Sequence, residues 1–133
     1  KWQLRIAAGE PLTLRQEEIT ARGHAIEARV YAEDPANGFA PQTGRVIALR
    51  LPNDEGVRID AGLDEGQLIG ADYDAMIAKV IAWGETRELA RQRLDGALRH
   101  TCVLGLHTNV DYLLNILRSE EFRGGEMTTH LLD

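Results

Sequence analysis

The sequence has few of the features that crosslink a small protein, bind a metal or insert into a bilayer. Its only cysteine is Cys102, which excludes an internal disulfide and also a zinc ribbon or finger built on cysteine pairs. No apolar run approaches the ~20 residues that span a bilayer. The histidines lack the His-x-x-x-His spacing typical of helical metal sites, so we expect no metal in this chain. They are His24, His100, His107 and His130.

The net charge of the chain argues against two further classes of partner. The 133 residues have a formal net charge of -6 at pH 7, so nucleic acid and anionic membrane surfaces would repel the chain at long range. We therefore expect neither as a partner, and any anionic ligand has to be bound by local arginines. With 44% hydrophobic residues, the chain can form one domain with its own core.

Hydrophobic patterning predicts strands in the first part of the chain. Strict alternation over His24–Tyr31 is typical of a half-buried strand, and the nearly continuous apolar run Met76–Trp83 is typical of a central one. The pattern of Arg45–Leu51 predicts a further strand that is covered on both faces. The short loop Pro52–Gly56 then predicts a hairpin into a strand over Val57–Asp60.

Helical periodicity begins after these strands. Apolar residues recur at helical spacing over Arg87–His100, and Thr86 is the expected N-cap. A second helix is predicted to begin with a cap at Thr108 and to end near Ser119. The segment Glu120–Gly125 is predicted to be a polar loop.

The two ends of the chain have weaker patterns. Trp2–Gly9 is typical of the last turns of a helix that stops at its glycine, and Leu12–Arg22 is typical of a polar connector. Residues 126–133 fit either a strand or an extended tail. Strands followed by helices with short links predict an α+β fold, a mainly antiparallel sheet with two to three helices packed on it.

One residue is a candidate for chemistry. If Val57–Asp60 is a strand, side chains alternate between its faces, and Arg58 points away from the apolar layer together with Asp60. From the pattern alone, a salt bridge on this sheet face, from Arg58 to Asp60 or to a neighbouring residue, is the favoured interpretation. The alternative is catalysis, because an arginine on a rigid strand is a planar, permanently charged donor for an oxygen that gains negative charge.

Several ordered blocks give a more specific indication. They are Gly23–Pro35, Thr43-Gly44, Gly56-Val57-Arg58, Tyr73–Lys79, Thr108-Asn109-Val110 and Thr128-Thr129-His130. In these blocks the chain resembles the carboxyl-terminal domain of biotin carboxylase, the ATP-dependent component of acyl-CoA carboxylases. The segment Gly105–Leu114 is most similar to the methylcrotonyl-CoA or propionyl-CoA carboxylase type. Pyruvate and urea carboxylases share the same motifs and are the alternatives.

The resemblance implies roles for individual residues. Arg58 occupies the place of the arginine that holds the ureido oxygen of biotin and the bicarbonate-derived group. Its implied role is to stabilise the anion formed when biotin N1 loses its proton. The same comparison places Thr129 and His130 at the edge of the adenine nucleotide pocket.

The block Tyr73–Lys79, which we call the signature, contains residues that are expected to be structural. Tyr73, Asp74 and Lys79 match the family pattern, and we expect them to hold the sheet together. Trp83 follows the signature and is expected either at a subunit interface or in the core.

The resemblance also implies a larger assembly. Residues 1–22 would be the tail of an ATP-grasp domain and a connector, and residues 23–133 the carboxyl-terminal domain. ATP and Mg2+ would be bound mostly by the ATP-grasp domain, and biotin would be attached to a carrier domain. Further partners would be a second copy, in a homodimer or larger oligomer, together with a carboxyltransferase beta subunit.

Three further expectations follow from the resemblance. The compartment would be the bacterial cytoplasm or the mitochondrial matrix. The isolated domain is expected to be inactive. The alternative function is that the domain serves mainly to assemble subunits, while the chemistry takes place elsewhere.

Overall fold

The computed structural model of the chain describes residues 2–132. In chain order, the strands are β1 (His24–Tyr31), β2 (Glu33–Asp34), β3 (Ala40–Pro41), β4 (Gly44–Arg45), β5 (Ala48–Arg50), β6 (Val57–Ala61), β7 (Leu68–Ile69), β8 (Met76–Gly84) and β9 (Cys102–Leu104). The helices are α1 (Trp2–Ala7), α2 (Arg87–His100), α3 (Val110–Arg118) and α4 (Glu120–Gly124), and 3₁₀ turns cover Gln16–Glu18, Pro35–Asn37 and Thr129–Leu132. All described strand pairs are antiparallel, which together with the helices confirms the predicted α+β class.

A three-stranded sheet in the order β1-β8-β6 lies at the centre of the fold. Strand β8 has a hydrogen-bonded neighbour on each side, as its nearly continuous apolar sequence predicts. In the register, Ala28 of β1 lies beside Val80, and Val80 lies beside Ile59 of β6. The predicted strand His24–Tyr31 is confirmed at both ends, and the predicted central strand continues by one residue to Gly84.

Helix α2 covers one face of this sheet and closes the core. The hydroxyl oxygen of Thr86 accepts a hydrogen bond from the backbone N–H of Leu89 (3.2 Å), so the predicted N-cap is confirmed. Buried side chains of α2 pack against buried side chains of β1 and β8. They are Ala90, Leu94, Ala97 and Leu98 from the helix, and Ala28, Val30, Val80 and Ala82 from the strands. Burial of this apolar stripe stabilises α2 more than helix propensity does.

A buried arginine fastens α2 to the end of α3. Arg91 is 9% exposed, and its Nη1 donates to the backbone carbonyl of Leu117 (3.0 Å). Its Nε and Nη2 both donate to the carboxylate of Glu88, each at 2.7 Å. The buried charge is therefore paired and hydrogen-bonded, as burial of an ionised group requires.

The Glu88–Arg91 pair predicts a stability change in acid. Hydrogen bonds from Arg91 and then Gln92 lower the pKa of Glu88 from 4.5 to about 2. Because the folded pKa is lowered, the ionised carboxylate contributes stability above pH 4.5 and loses that contribution as the pH falls through about 2. We expect Glu88→Gln to lower the urea midpoint of unfolding at pH 7. As the pH falls from 4.5 to about 2, we expect the midpoints of the variant and the unchanged chain to become equal.

The control for this measurement is the exposed Glu85→Gln in the turn before α2. We expect its urea midpoint to follow that of the unchanged chain at every pH. An equal loss of stability for Glu88→Gln at pH 7 and at pH 2 would contradict the electrostatic origin of the effect.

The prediction of one covered strand over Arg45–Leu51 is wrong, as is the hairpin from it into β6. The chain changes partners between β4 and β5. The N–H of Val46 donates to the carbonyl of Gln67 (2.9 Å), whereas the N–H of Ile47 donates to Leu104 (2.7 Å). Strand β4 consequently pairs with β7 and β5 with β9, while β6 pairs with β8. At this change of partner the Ile47 side chain turns to solvent and is 73% exposed.

Helix α3 begins without the predicted cap at Thr108. Its N-cap residue is Asn109, whose side chain makes no cap hydrogen bond. The amide of Asn109 instead accepts from the N–H of Tyr31 (2.9 Å) and donates to the carbonyl of Arg29 (3.2 Å). These partners lie 78 and 80 residues away along the chain, so local spacing could not reveal them. The buried amide ties the start of α3 to β1.

The predicted polar loop Glu120–Gly125 is also wrong, because it contains the short helix α4. Ser119 caps this helix by accepting from the N–H of Phe122 (3.2 Å), and Gly125 ends it in the left-handed conformation at φ 77°. Phe122 is 7% exposed and joins the core. Burial of the Phe122 ring stabilises the helix in an otherwise polar segment.

The first residues of the chain lie on the surface. Helix α1 confirms the predicted helix at Trp2–Gly9, and Gly9 follows it at φ 87°. Every residue from 2 to 25 is exposed, and Lys1 lies outside the described residues. Within residues 2–132, no helix has both the length and the apolar character needed to cross a bilayer.

The last described residues form neither of the structures predicted for them. Thr129–Leu132 is a 3₁₀ turn, so the strand or extended tail predicted over residues 126–133 is wrong at this turn. Asp133 lies outside the described residues. The turn follows α4 and reaches the edge of the sheet formed by β1.

Candidate functional site

Arg58 lies on the face of the central sheet opposite α2, which we call the outer face. In the register, Arg58 is beside Ile81 and Asp60 is beside Lys79, so these side chains share that face. The alternating residues Val57 and Ile59 point to the core side and are half-buried. The side chain of Arg58 is 74% exposed. Strand geometry thus presents the guanidinium outward, as the sequence predicts.

The Arg58 guanidinium is paired with Asp60. Its Nε donates to Oδ1 at 2.9 Å, and its Nη2 donates to Oδ2 at 3.0 Å. These hydrogen bonds lower the pKa of Asp60 and raise the pKa of Arg58. The predicted salt bridge is therefore present.

The salt bridge leaves part of the guanidinium free to bind a ligand. Arginine has five N–H donors in a planar fork. Asp60 occupies the edge formed by Nε and Nη2. The end formed by Nη1 and the second N–H of Nη2 remains directed away from that carboxylate. A second oxygen pair, as in a carboxylate, can bind at this end.

Positive charge predominates among the paired residues of the outer face. Strand β1 contributes Arg29 and Glu27, which pair at 3.4 Å, and β8 contributes Lys79 at 3.7 Å from Asp60. With Arg58, these are three cations and two carboxylates. In a chain with a formal charge of -6, this group of five side chains therefore carries one more positive than negative charge.

A cavity of about 310 Å³ lies beside Arg58. Its lining includes Asp60 and Lys79, together with Tyr73 and Asp74 of the signature. Within the described part of the chain, Arg58 itself stays outside this lining. The cavity therefore reaches Arg58 only through Asp60, which lines it and pairs with the guanidinium.

The signature residues have different structural roles. Asp74 accepts a hydrogen bond from the N–H of Met76 (2.7 Å) at the start of β8, and Lys79 pairs with Asp60. Tyr73 is 91% exposed, so the expectation that it holds the sheet together is wrong. Tyr73 lines the cavity instead.

Trp83 is not buried in the core. It is 43% exposed, and its Nε1 donates to the backbone carbonyl of Arg22 (3.2 Å). Of the two expected environments, the core is therefore wrong. The exposed indole face at the end of β8 remains open to a contact with another surface.

A larger, mainly apolar groove of about 680 Å³ lies at the β1 edge of the sheet, bounded by α3, α4 and the end of the chain. We call it the C-terminal groove. Thr128 and Thr129 line it, whereas His130 is exposed and, within residues 2–132, outside the lining. Arg58 and Thr129 thus lie at opposite edges of the sheet, and the structure does not bring them together.

The C-terminal groove contains two polar side chains for which the sequence predicted no role at a site. Asn109, which holds β1, and Glu33 both line the groove. Burial raises the pKa of Glu33, although a hydrogen bond from Asn109 acts in the opposite direction. The sequence around Glu33 gave no sign of this burial, because α3 is distant in the sequence. Across residues 2–132, no three His, Cys, Asp or Glu side chains cluster as a metal site would require.

Comparison with known proteins identifies the family. The family model described as biotin carboxylase C-terminal domain matches residues 27–133. The mitochondrial methylcrotonoyl-CoA carboxylase alpha chain from Rattus norvegicus is 44% identical over 133 residues, which are 99% of this chain and 19% of that protein. A pyruvate carboxylase subunit from Methanothermobacter thermautotrophicus is 43% identical over 133 residues, which are 100% of this chain and 27% of that protein.

A solved relative has the same fold. It is the biotin carboxylase domain dimer of Hydrogenobacter thermophilus 2-oxoglutarate carboxylase, in complex with MgADP, ADP and bicarbonate. The TM-score is 0.93 at 39% identity, covering 99% of this chain and 31% of that one. This chain therefore spans less than a third of the length of these relatives. Because the family model spans most of its residues and its fold matches that of a solved relative, the chain belongs to the biotin carboxylase C-terminal domain family.

Proposed function

We propose that this chain forms one wall of the site where a biotin-dependent carboxylase transfers a carboxyl group to carrier-bound biotin. Arg58 is the residue that binds the oxyanion. The observation behind the proposal is the free end of its guanidinium, held on the outer face of the sheet by a bidentate contact to Asp60. Loss of carboxylation on replacement of Arg58 tests the proposal.

The chemistry of this end fits the oxygen atoms of biotin and bicarbonate. Both present planar oxygen acceptors, and a guanidinium is planar, always charged and able to donate two parallel bonds. A preorganised donor of this kind stabilises negative charge without reorganising during the reaction. Arg58 would therefore orient the acceptor oxygen and stabilise its charge.

The residues of this chain suit the base of ATP but not its metal ion. The apolar walls of the C-terminal groove, with Thr129 in the lining, suit one face of a nucleotide base. His130 is a proposed contact from the same 3₁₀ turn, although it lies outside the groove lining. No acidic cluster in the described residues suits Mg2+, so we assign the metal and most of ATP to an ATP-grasp domain.

The parent protein is proposed to be an acyl-CoA carboxylase of the methylcrotonyl-CoA or propionyl-CoA type. Identities of 44% and 43% to the methylcrotonoyl-CoA and pyruvate relatives lie too close together to choose between these reactions, so pyruvate and urea carboxylases remain the alternatives. The proposed partners are the ATP-grasp domain, a biotin carboxyl carrier domain, a second copy and a carboxyltransferase beta subunit. The proposed compartment is the mitochondrial matrix, since the rat relative is a mitochondrial protein, or the bacterial cytoplasm.

The proposed domain division follows the same scheme. Residues 1–22 would connect to the ATP-grasp domain, and residues 23–133 would form the carboxyl-terminal domain. The exposed apolar side chains of α1 support this division, because they offer a surface for another domain to cover. They are Trp2, Leu4 and Ile6.

We expect the isolated 133-residue chain to cleave no ATP, because the proposed metal and phosphate ligands lie in another domain. The measurement is release of ADP in the presence of ATP, Mg2+, bicarbonate and biotin. An intact biotin carboxylase under the same conditions is the positive control. Biotin-dependent ATP cleavage by the purified chain would show that the division of roles is wrong.

Assembly of subunits is the second candidate function. Trp83 favours it, because its indole is 43% exposed at the end of the central strand. Large aromatic side chains are enriched at protein interfaces. Sedimentation velocity of the chain separates the candidates: a tight dimer supports assembly, whereas a monomer leaves the active-site wall as the main role.

A further inference from the structure

The Arg58 side chain is restrained by a single carboxylate group. Residues two apart on a strand share a face, so β6 places Asp60 beside Arg58. Both carboxylate oxygens accept hydrogen bonds from the guanidinium, at 2.9 and 3.0 Å. Two parallel bonds fix the plane of the guanidinium as well as its position, which a single bond does not.

Asp60 is itself tied to the central strand. Its Oδ2 lies 3.7 Å from Nζ of Lys79, which is its neighbour across the β6–β8 pairing. The Asp60 side chain is 34% exposed, whereas that of Arg58 is 74% exposed. The carboxylate that holds the arginine is thus less exposed than the arginine itself. It connects a long, mobile side chain to the rigid centre of the sheet.

Removal of this carboxylate would free Arg58. The arginine side chain has several rotatable bonds. In solvent it samples many rotamers unless a contact holds it in one of them. Lys79 and Arg29 lie on the same outer face and carry the same charge. Without Asp60, their repulsion would favour rotamers that turn the guanidinium away from its present position.

We propose that Asp60 is the positioning residue for Arg58 in the carboxylation reaction. Its carboxylate holds the Nε–Nη2 edge of the guanidinium and so directs the Nη1–Nη2 end to the oxyanion. Asp60 acts through Arg58 and not on the reacting atoms. The inference rests on the proposed function of Arg58 and extends it to a second side chain.

Steady-state kinetics of the intact carboxylase test this role. We expect Asp60→Asn, which removes the charge and one acceptor oxygen, to lower kcat for biotin carboxylation by roughly 10- to 100-fold, the usual cost of losing a supporting group. The KM for ATP should stay unchanged. Asp60→Glu should restore most of kcat, because its carboxylate can still accept two bonds.

The matched control is Glu10→Gln. It removes an exposed carboxylate that accepts from Nε of Arg5 at 2.6 Å, in the segment that follows α1 and lies outside the sheet. We expect kcat to stay at the wild-type value in this variant. An equal loss of kcat in Glu10→Gln and Asp60→Asn would point to a general effect of surface charge and would overturn the proposal.

Arg58→Ala, measured alongside, separates this inference from the proposed function. If Arg58→Ala is impaired and Asp60→Asn keeps the wild-type kcat, the positioning role is wrong and the function of Arg58 stands. If Arg58→Ala keeps the wild-type kcat, the proposed function itself is wrong. Hydrogen exchange at Arg58 Nε–H, measured by NMR in the 133-residue chain, adds a readout without turnover. It should be slow in the unchanged chain and in Asp60→Glu, and faster in Asp60→Asn; equal rates would overturn the proposal.

Discussion

Replacing Arg58 with alanine in the intact carboxylase is expected to lower ATP-dependent carboxylation of biotin by about 10²-fold or more, the scale of losing one oxyanion donor. The loss should fall on kcat, because the interaction strengthens as negative charge develops on the bound oxygen. The measurement is kcat and KM with free biotin as acceptor. Arg58 is exposed, so the variant should fold normally.

Two further variants define what Arg58 contributes. Arg58→Lys keeps the charge but loses the planar fork, so we expect it to remain well below wild type. Arg50→Ala removes an exposed arginine from β5 and should leave turnover unchanged. Wild-type turnover in Arg58→Ala would reduce Arg58 to a structural salt bridge with Asp60.

Replacing Leu98 with alanine is expected to destabilise the chain by about 3 kcal/mol, within the range measured for buried leucines. Leu98 is 0% exposed and lies in the core that joins α2 to the sheet. Its truncation leaves a cavity that a tightly packed helix and sheet cannot close. Urea unfolding measures the effect, and the midpoint should shift while the denaturant slope stays constant.

The exposed Leu12 supplies the control for this experiment. It is 64% exposed, so Leu12→Ala should change the free energy of unfolding by less than about 0.5 kcal/mol. A loss below about 1 kcal/mol for Leu98→Ala, on the scale of a surface substitution, would mean that α2 does not pack on the sheet as described.

The elements that could be predicted are those with a strong local period. Strand β1 alternates strictly, β8 is apolar on both faces, and α2 combines a helical stripe with a threonine cap. Each pattern lies within a short stretch, and burial against any apolar partner satisfies it. The outward direction of Arg58 follows from the same rule.

The candidate site was only partly predictable. Alternation placed Arg58 and Asp60 on one face, but only the tertiary structure showed the two parallel hydrogen bonds and the free end of the guanidinium. Thr129 lines a groove because the chain end packs at the edge of β1, which no local pattern indicates. His130, its neighbour, lies outside that groove.

Local periodicity was enough to give the α+β class, the central sheet and the outward arginine, because side-chain alternation and helical spacing act over a few residues. The partner exchange at Val46 and Ile47 and the link from Asn109 to β1 depend on residues far away in the chain. A backbone N–H pairs with whichever carbonyl the packed chain brings within reach. That choice is made by long-range burial, so it appears only once the helices and strands are packed together.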